Sequence, residues 1–98
     1  MRMMMKAVVE DIEADNEAIR NGSVQQLLQK TLDQLKPEAV YFVDENGYRS
    51  FIAVFDMADP SDLVTISEPI YQAIKARISI SPCMNLEDLQ KGLSRLTS

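Results

Sequence analysis

The chain contains no histidine, and this absence narrows the chemistry that its side chains can perform. Histidine is the commonest general base and a usual ligand of zinc and haem iron. Without it, Ser-His-Asp and Cys-His catalytic groups are excluded, and a metal site would have to be built from Asp and Glu oxygens. We therefore predict that the chain carries no cofactor and no metal ion.

The densest group of acidic residues comprises Glu10, Asp11, Glu13, Asp15 and Glu17. Carboxylates are good ligands for Ca²⁺ and Mg²⁺, but this spacing lacks the EF-hand pattern because no glycine lies between the acids. We interpret residues 10–22 as a solvated loop with one helical turn near residues 17–20.

Tyr41 and Arg49 are the candidate ligand-binding residues. Tyr41 lies in a predicted strand among apolar neighbours, so its hydroxyl must find a partner if it is buried. Arg49 follows a predicted turn, where a cross-strand ion pair with Asp44 is the simplest prediction. Cys83 follows Pro82 and has no base near it in the sequence, so we predict a buried, inert thiol. The sequence assigns no catalytic residue.

Charge and hydropathy limit the partners. Fifteen acidic and ten basic residues give a net charge of −5, and no two basic residues are adjacent, so nucleic acid is not an expected partner. The longest apolar runs, residues 39–43 and 51–55, are far shorter than the roughly 20 residues that span a bilayer, so no membrane association is expected. The single cysteine and the absence of a signal-like segment predict a cytoplasmic location.

The element predicted most clearly is a β-hairpin around Asn46 and Gly47. This dipeptide favours a two-residue type I′ turn, because both central residues need a positive φ. The resulting register places Val40 opposite Ala53 and Asp44 opposite Arg49. Both faces of the hairpin are then apolar: one carries Val40, Phe42, Phe51, Ala53, Phe55 and Met57, and the other carries Ala39, Tyr41, Val43, Ile52 and Val54.

The other elements follow from periodicity and end signals. They are a strand at residues 1–9, a helix at residues 23–35 capped by Ser23, a helix that begins at Asp59 and Pro60, a strand at residues 75–84, and a C-terminal helix capped by Asn85 with leucines at 86, 89, 93 and 96. Because Pro69 lies inside the second helix, we predict a break near Ser67.

The order β-α-β-β-α-β-α predicts an α+β fold, a ferredoxin-like βαββαβ sandwich with an antiparallel four-stranded sheet and an extra C-terminal helix. We expect one domain over residues 1–98, with residues 1–84 as its core and residues 85–98 as the C-terminal helix. Both main helices would cover the same side of the sheet, leaving an apolar side bare. A large bare apolar patch indicates association, so we predict a homodimer that pairs sheet face with sheet face.

Over residues 1–84 this layout resembles the dimeric α+β barrel superfamily, whose members pair two ferredoxin-like sheets. The segments at residues 16–22, 35–39, 54–61 and 87–93 also resemble a family of short bacterial proteins of unknown function. Three functions remain open. The first is a non-catalytic homodimer that binds a small apolar ligand or a partner. The second, implied by the superfamily, is a cofactor-independent monooxygenase or isomerase working through Tyr41 with Arg49 or an acid. The third is a structural or regulatory subunit that interacts through its C-terminal helix.

Overall fold

The computed structural model describes residues 1–97, which form four strands and four helices. In chain order these are β1 (Arg2–Val9), α1 (Ile12–Arg20), α2 (Ser23–Leu35), β2 (Ala39–Glu45), β3 (Tyr48–Asp56), α3 (Asp62–Ala73), β4 (Ala76–Pro82) and α4 (Leu86–Ser94). The sheet is antiparallel, with strand order β2-β3-β1-β4. The predicted α+β class is confirmed. The element order is not βαββαβ, because the first connection carries two helices.

Helix α1 occupies the segment that the sequence predicts to be a loop, so that prediction is wrong. Asp11 caps the helix, and its carboxylate accepts a hydrogen bond from the Ala14 backbone N–H at 3.1 Å. Glu13 and Asp15 lie in the first turn, where negative charge interacts favourably with the helix dipole. The acidic character that indicated a solvated loop is therefore a feature of a helix N-terminus.

Two predicted helix features differ in the structure. The N-cap of α2 is Gly22 at φ 84°, and Ser23 is already helical, so the predicted Ser23 cap is wrong. Helix α3 is continuous through Pro69, so the predicted break near Ser67 is also wrong. Pro69 has no N–H for the Thr65 carbonyl four residues before it, and that carbonyl instead accepts a hydrogen bond from Gln34 Nε2 of α2 at 3.1 Å.

The hairpin register is confirmed at every predicted pair, from Val40 with Ala53 to Glu45 with Tyr48. Asn46 and Gly47 have φ values of 52° and 87°, as a type I′ turn requires. The register assigns each side chain of the sheet to one of two faces. We call the face that carries Met5 and Phe51 the inner face, and the face that carries Tyr41 and Lys6 the outer face.

The hydrophobic core lies between the inner face and helices α2 and α3. Its largest fully buried side chains are Met5, Phe55 and Ile70, and Leu35 of α2 packs against the same cluster. Within residues 1–97 no helix covers the outer face at Tyr41, which is 66% exposed. Among residues 1–97, none of the helices combines the length and the apolar composition that a bilayer crossing needs.

Candidate functional site

A cavity of about 330 Å³ lies between the inner face and the helices, near the end of the hairpin. Its walls are mainly apolar and come from three helices and three strands; they include Ile19, Leu27, Leu28, Phe42, Phe51 and Ile70. Small-molecule sites are typically apolar hollows of roughly 300–1,000 Å³ with a few polar groups. The cavity therefore has the size and composition of a small ligand site.

The cavity arises because α2 packs closely on the sheet at only one end. At its C-terminal end Leu35 is buried in the core, whereas Val24, Leu27 and Leu28 in its N-terminal half are only partly buried. The edge strand β2 extends beyond the helices, which leaves Phe42 60% exposed although it lies on the inner face. The space between the N-terminal half of α2 and the hairpin is thus not filled by side chains.

The polar mouth of the cavity consists of Asp15, Asp44 and Arg49. Asp15 is only 5% exposed, and its Oδ2 accepts a hydrogen bond from Arg49 Nη1 at 2.9 Å. The same Nη1 donates to Asn16 Oδ1 at 2.7 Å. Burying a carboxylate is costly unless it is paired, and Arg49 provides the partner of Asp15.

The predicted ion pair between Asp44 and Arg49 is therefore wrong, although the two residues face each other in the strands as predicted. Arg49 lies on the inner face, where α1 offers it a buried carboxylate, and a desolvated charge attracts a partner more strongly than an exposed one. Within residues 1–97, Asp44 makes no ion pair and no side-chain hydrogen bond. The two carboxylates and one guanidinium of the polar mouth leave a formal charge of −1.

Thr31 places a hydroxyl in the apolar wall. The residue is 6% exposed and lines the cavity. Its side chain forms no hydrogen bond within residues 1–97, and no fully buried polar side-chain atom of the described chain lacks a partner. The hydroxyl is therefore reached through the cavity and is free to bind a polar atom there.

Of the two sequence-predicted site residues, Arg49 lines the cavity and Tyr41 does not. Tyr41 lies on the outer face, so one chain does not bring these two side chains together. Sequence reasoning missed Asp15 and Thr31. Thr31 had a detectable signal, because it lies seven residues after Val24 and four before Leu35 on the apolar stripe of α2.

The acids of residues 10–17 do not form a metal site. Within residues 1–97, no three Asp, Glu, Cys or His side chains are placed to hold a metal ion. Four of these acids instead form ion pairs: Glu10 with Arg77 of β4, Asp11 with Lys75, Asp15 with Arg49 of β3, and Glu17 with Arg20 of the same helix. Cys83 is a free thiol of intermediate exposure, not the buried one that the sequence predicts.

No family model matches the chain, and no curated protein matches it in sequence. The α+β fold and its four-stranded antiparallel sheet are therefore established by the structure alone, and function has to be argued from the cavity and the surfaces.

Proposed function

We propose that this chain is a non-catalytic binding protein that holds a small molecule with an apolar body in the cavity between α2 and the hairpin. The observation that carries the proposal is the cavity itself, whose volume of about 330 Å³ is enclosed mainly by apolar side chains. A dry cavity of about 150 Å³ is enough to bind benzene, so this one suits a body larger than a single aromatic ring.

The polar groups favour a ligand whose head group donates hydrogen bonds. Asp44 has no partner within residues 1–97, and the Thr31 hydroxyl can accept as well as donate. The formal charge of −1 at the polar mouth repels a carboxylate and attracts an amine. We therefore propose an apolar amine or alcohol as the ligand class, with the head group at Asp44 or Thr31.

A matched ligand series tests this proposal. We expect n-octylamine and n-octanol to raise the melting temperature of the purified chain in a saturable manner, because a ligand that prefers the folded state stabilises it. Octanoate has the same apolar body, but its carboxylate is repelled. We therefore expect it to raise the melting temperature by less. Equal shifts with all three would refute the head-group preference, and no shift with any would refute the site.

A cavity-filling variant checks that binding occurs at this place. Val24 lines the cavity, so Val24→Phe should reduce n-octanol affinity by roughly tenfold or more, as filling a pocket removes the space for the ligand. Val64→Phe is the matched control, because Val64 is exposed on α3 and does not line the cavity. Titration calorimetry with both variants measures the difference; equal affinities would place the ligand elsewhere.

We also propose that the chain forms a homodimer through its outer face, in the manner of a ferredoxin-like sheet pair. In the sheet, β3 lies between β1 and β2, and β1 lies between β3 and β4. Each of these two connections therefore skips one strand, and this supports the resemblance to the ferredoxin-like fold. The outer face carries exposed Met4, Tyr41 and Val43, which no element of the chain covers. Apolar surface of this kind is characteristic of an association site.

The dimer is tested with a charge on the outer face, at Tyr41 of the edge strand β2. Tyr41→Glu should weaken dimerisation by roughly tenfold or more, since an unpaired carboxylate would be desolvated at the interface. Tyr71→Glu is the matched control, because Tyr71 is 47% exposed on α3, on the other side of the molecule. Light scattering at micromolar concentrations reports the mass, and a monomeric native chain would contradict the proposal.

A further inference from the structure

Helix α4 is well formed, yet it buries none of its residues. Asn85 and Asp88 form a reciprocal capping box, in which Asn85 Oδ1 accepts from the Asp88 N–H at 2.8 Å and Asp88 Oδ2 accepts from the Asn85 N–H at 3.2 Å. A nine-residue helix is marginal in water, and most helical stability in proteins comes from packing an amphipathic face. The chain alone provides no such packing for α4.

The apolar stripe of α4 has the spacing of a two-helix seam. Leu86, Leu89 and Leu93 of α4, and Leu96 in the turn that follows it, come at intervals of three, four and three residues, and they are between 41% and 81% exposed. This is the alternation of the a and d positions of a heptad repeat, which is narrower than the apolar face of a helix that lies on a core.

The residues beside this seam carry no charge. In the heptad frame they are Asn85, Gln90, Gly92 and Thr97, while the charged side chains of α4 occupy the remaining positions. Two copies of α4 can therefore meet along their leucines without placing like charges opposite each other.

The position of α4 directs it towards a second copy. Arg2, on the outer face, donates from Nη1 to Asp88 Oδ2 at 2.7 Å, and its carbonyl accepts from the Cys83 N–H at 3.1 Å. The tether fixes the start of α4 at one end of the outer face, while the exposed leucines lie on another side of the helix. When two outer faces meet about a two-fold axis along the strands, the two α4 helices come together at the same end.

The surface area of the chain also indicates a second copy. The described chain exposes 6771 Å², whereas a compact monomer of 11.1 kDa exposes about 5,700 Å². The excess, about 1,100 Å², is larger than the roughly 800 Å² that each partner buries in a stable interface. The radius of gyration of 15.6 Å likewise exceeds the about 13 Å of a compact domain of this length.

We infer that α4 pairs with α4 of a second copy along the leucine seam, as a short helix zipper that extends the homodimer. The inference rests on the proposed dimer, because a helix of nine residues is too short to hold two chains together alone. Each copy then supplies two surfaces to its partner, the outer face and the leucine seam, and a two-fold axis makes both contacts self-complementary.

Cysteine cross-linking tests the pairing directly in the full chain. With Cys83→Ser as the background, Leu93→Cys should give a disulfide-linked dimer on mild oxidation, and Lys91→Cys, on the opposite side of α4, should not. A link between two Leu93→Cys chains indicates parallel helices, and a link formed only between a Leu89→Cys chain and a Leu93→Cys chain indicates antiparallel helices. Absence of both links overturns the inference.

Charge variants separate this inference from the proposed dimer. Leu93→Asp should weaken the dimer by roughly tenfold or more, whereas Gln90→Asp, beside the seam, should have a smaller effect. Circular dichroism and the monomer melting temperature should stay unchanged, because Leu93 contacts no core residue. If Tyr41→Glu dissociates the dimer and Leu93→Asp does not, the zipper is refuted and the sheet pairing stands. If only Leu93→Asp dissociates it, the sheet pairing is refuted, and the inference that the zipper extends a sheet-paired dimer is refuted with it.

Discussion

Asp15 is the only charged side chain that is buried among residues 1–97, and its environment explains why it is tolerated. Arg49 is 60% exposed and still reaches Asp15, so one partner of the pair is in solvent and the other is buried at the polar mouth of the cavity. A buried ion pair contributes little net stability, but removing one partner leaves a desolvated charge. The Arg49 guanidinium is therefore required chiefly because Asp15 is present.

Arg49→Met should destabilise the fold by about 1–2 kcal/mol, a value reduced from that of a fully buried pair because Arg49 is partly solvated. Adding Asp15→Asn should recover much of the loss, since it removes the unpaired charge. Arg20→Met is the control, because its exposed pair with Glu17 is expected to contribute only about 0.5 kcal/mol or less. Urea unfolding gives all three values, and equal losses for Arg49→Met and Arg20→Met would contradict this account.

At the scale of elements, the caps determine where helices begin, and the sequence shows some of them clearly. Asn85 was predicted to cap α4 and does so. The prediction that Asp59 caps the second helix is wrong, because the N-cap of α3 is Ser61 and the helix begins at Asp62. The Asp59 carboxylate instead accepts from the Ser61 N–H and hydroxyl, in the turn before the helix. The Gly22 cap was missed because its left-handed backbone, not a side chain, begins the helix.

The Ser61 hydroxyl, followed by the Ser61 backbone N–H, lowers the pKa of Asp59 from its ordinary value of 3.8. Because the pKa is lower in the folded state, the carboxylate stabilises the fold above pH 3.8, and this contribution is lost as the pH falls through the lower folded value. An NMR titration should therefore place Asp59 below 3.8 in the native chain. Ser61→Ala should return it towards that value, and an unchanged titration in Ser61→Ala would contradict the assigned cause.

For the whole molecule, the features that depend on residues close in sequence could be predicted, whereas the contacts between elements far apart in sequence could not. The hairpin register followed from Asn46 and Gly47, because a two-residue turn fixes the pairing of the strands on either side. The Asp15–Arg49 pair could not be predicted, because it forms only when α1 lies over the end of β3. The cavity was likewise invisible in the sequence, since it depends on the angle between α2 and the sheet.

The hydrogen bond from Gln34 to the Thr65 carbonyl affects how a ligand is accommodated in the cavity beside α2. Pro69 leaves that carbonyl without its usual partner in the helix, and Gln34, near the C-terminal end of α2, supplies a donor that fastens α2 to α3. Between Val24 and Thr31, no hydrogen bond in the described chain fastens α2 to α3. A ligand in the cavity would therefore meet an α2 that is held to α3 at Gln34 and to α1 at Gln25, whose Nε2 donates to the Ile19 carbonyl at 3.3 Å.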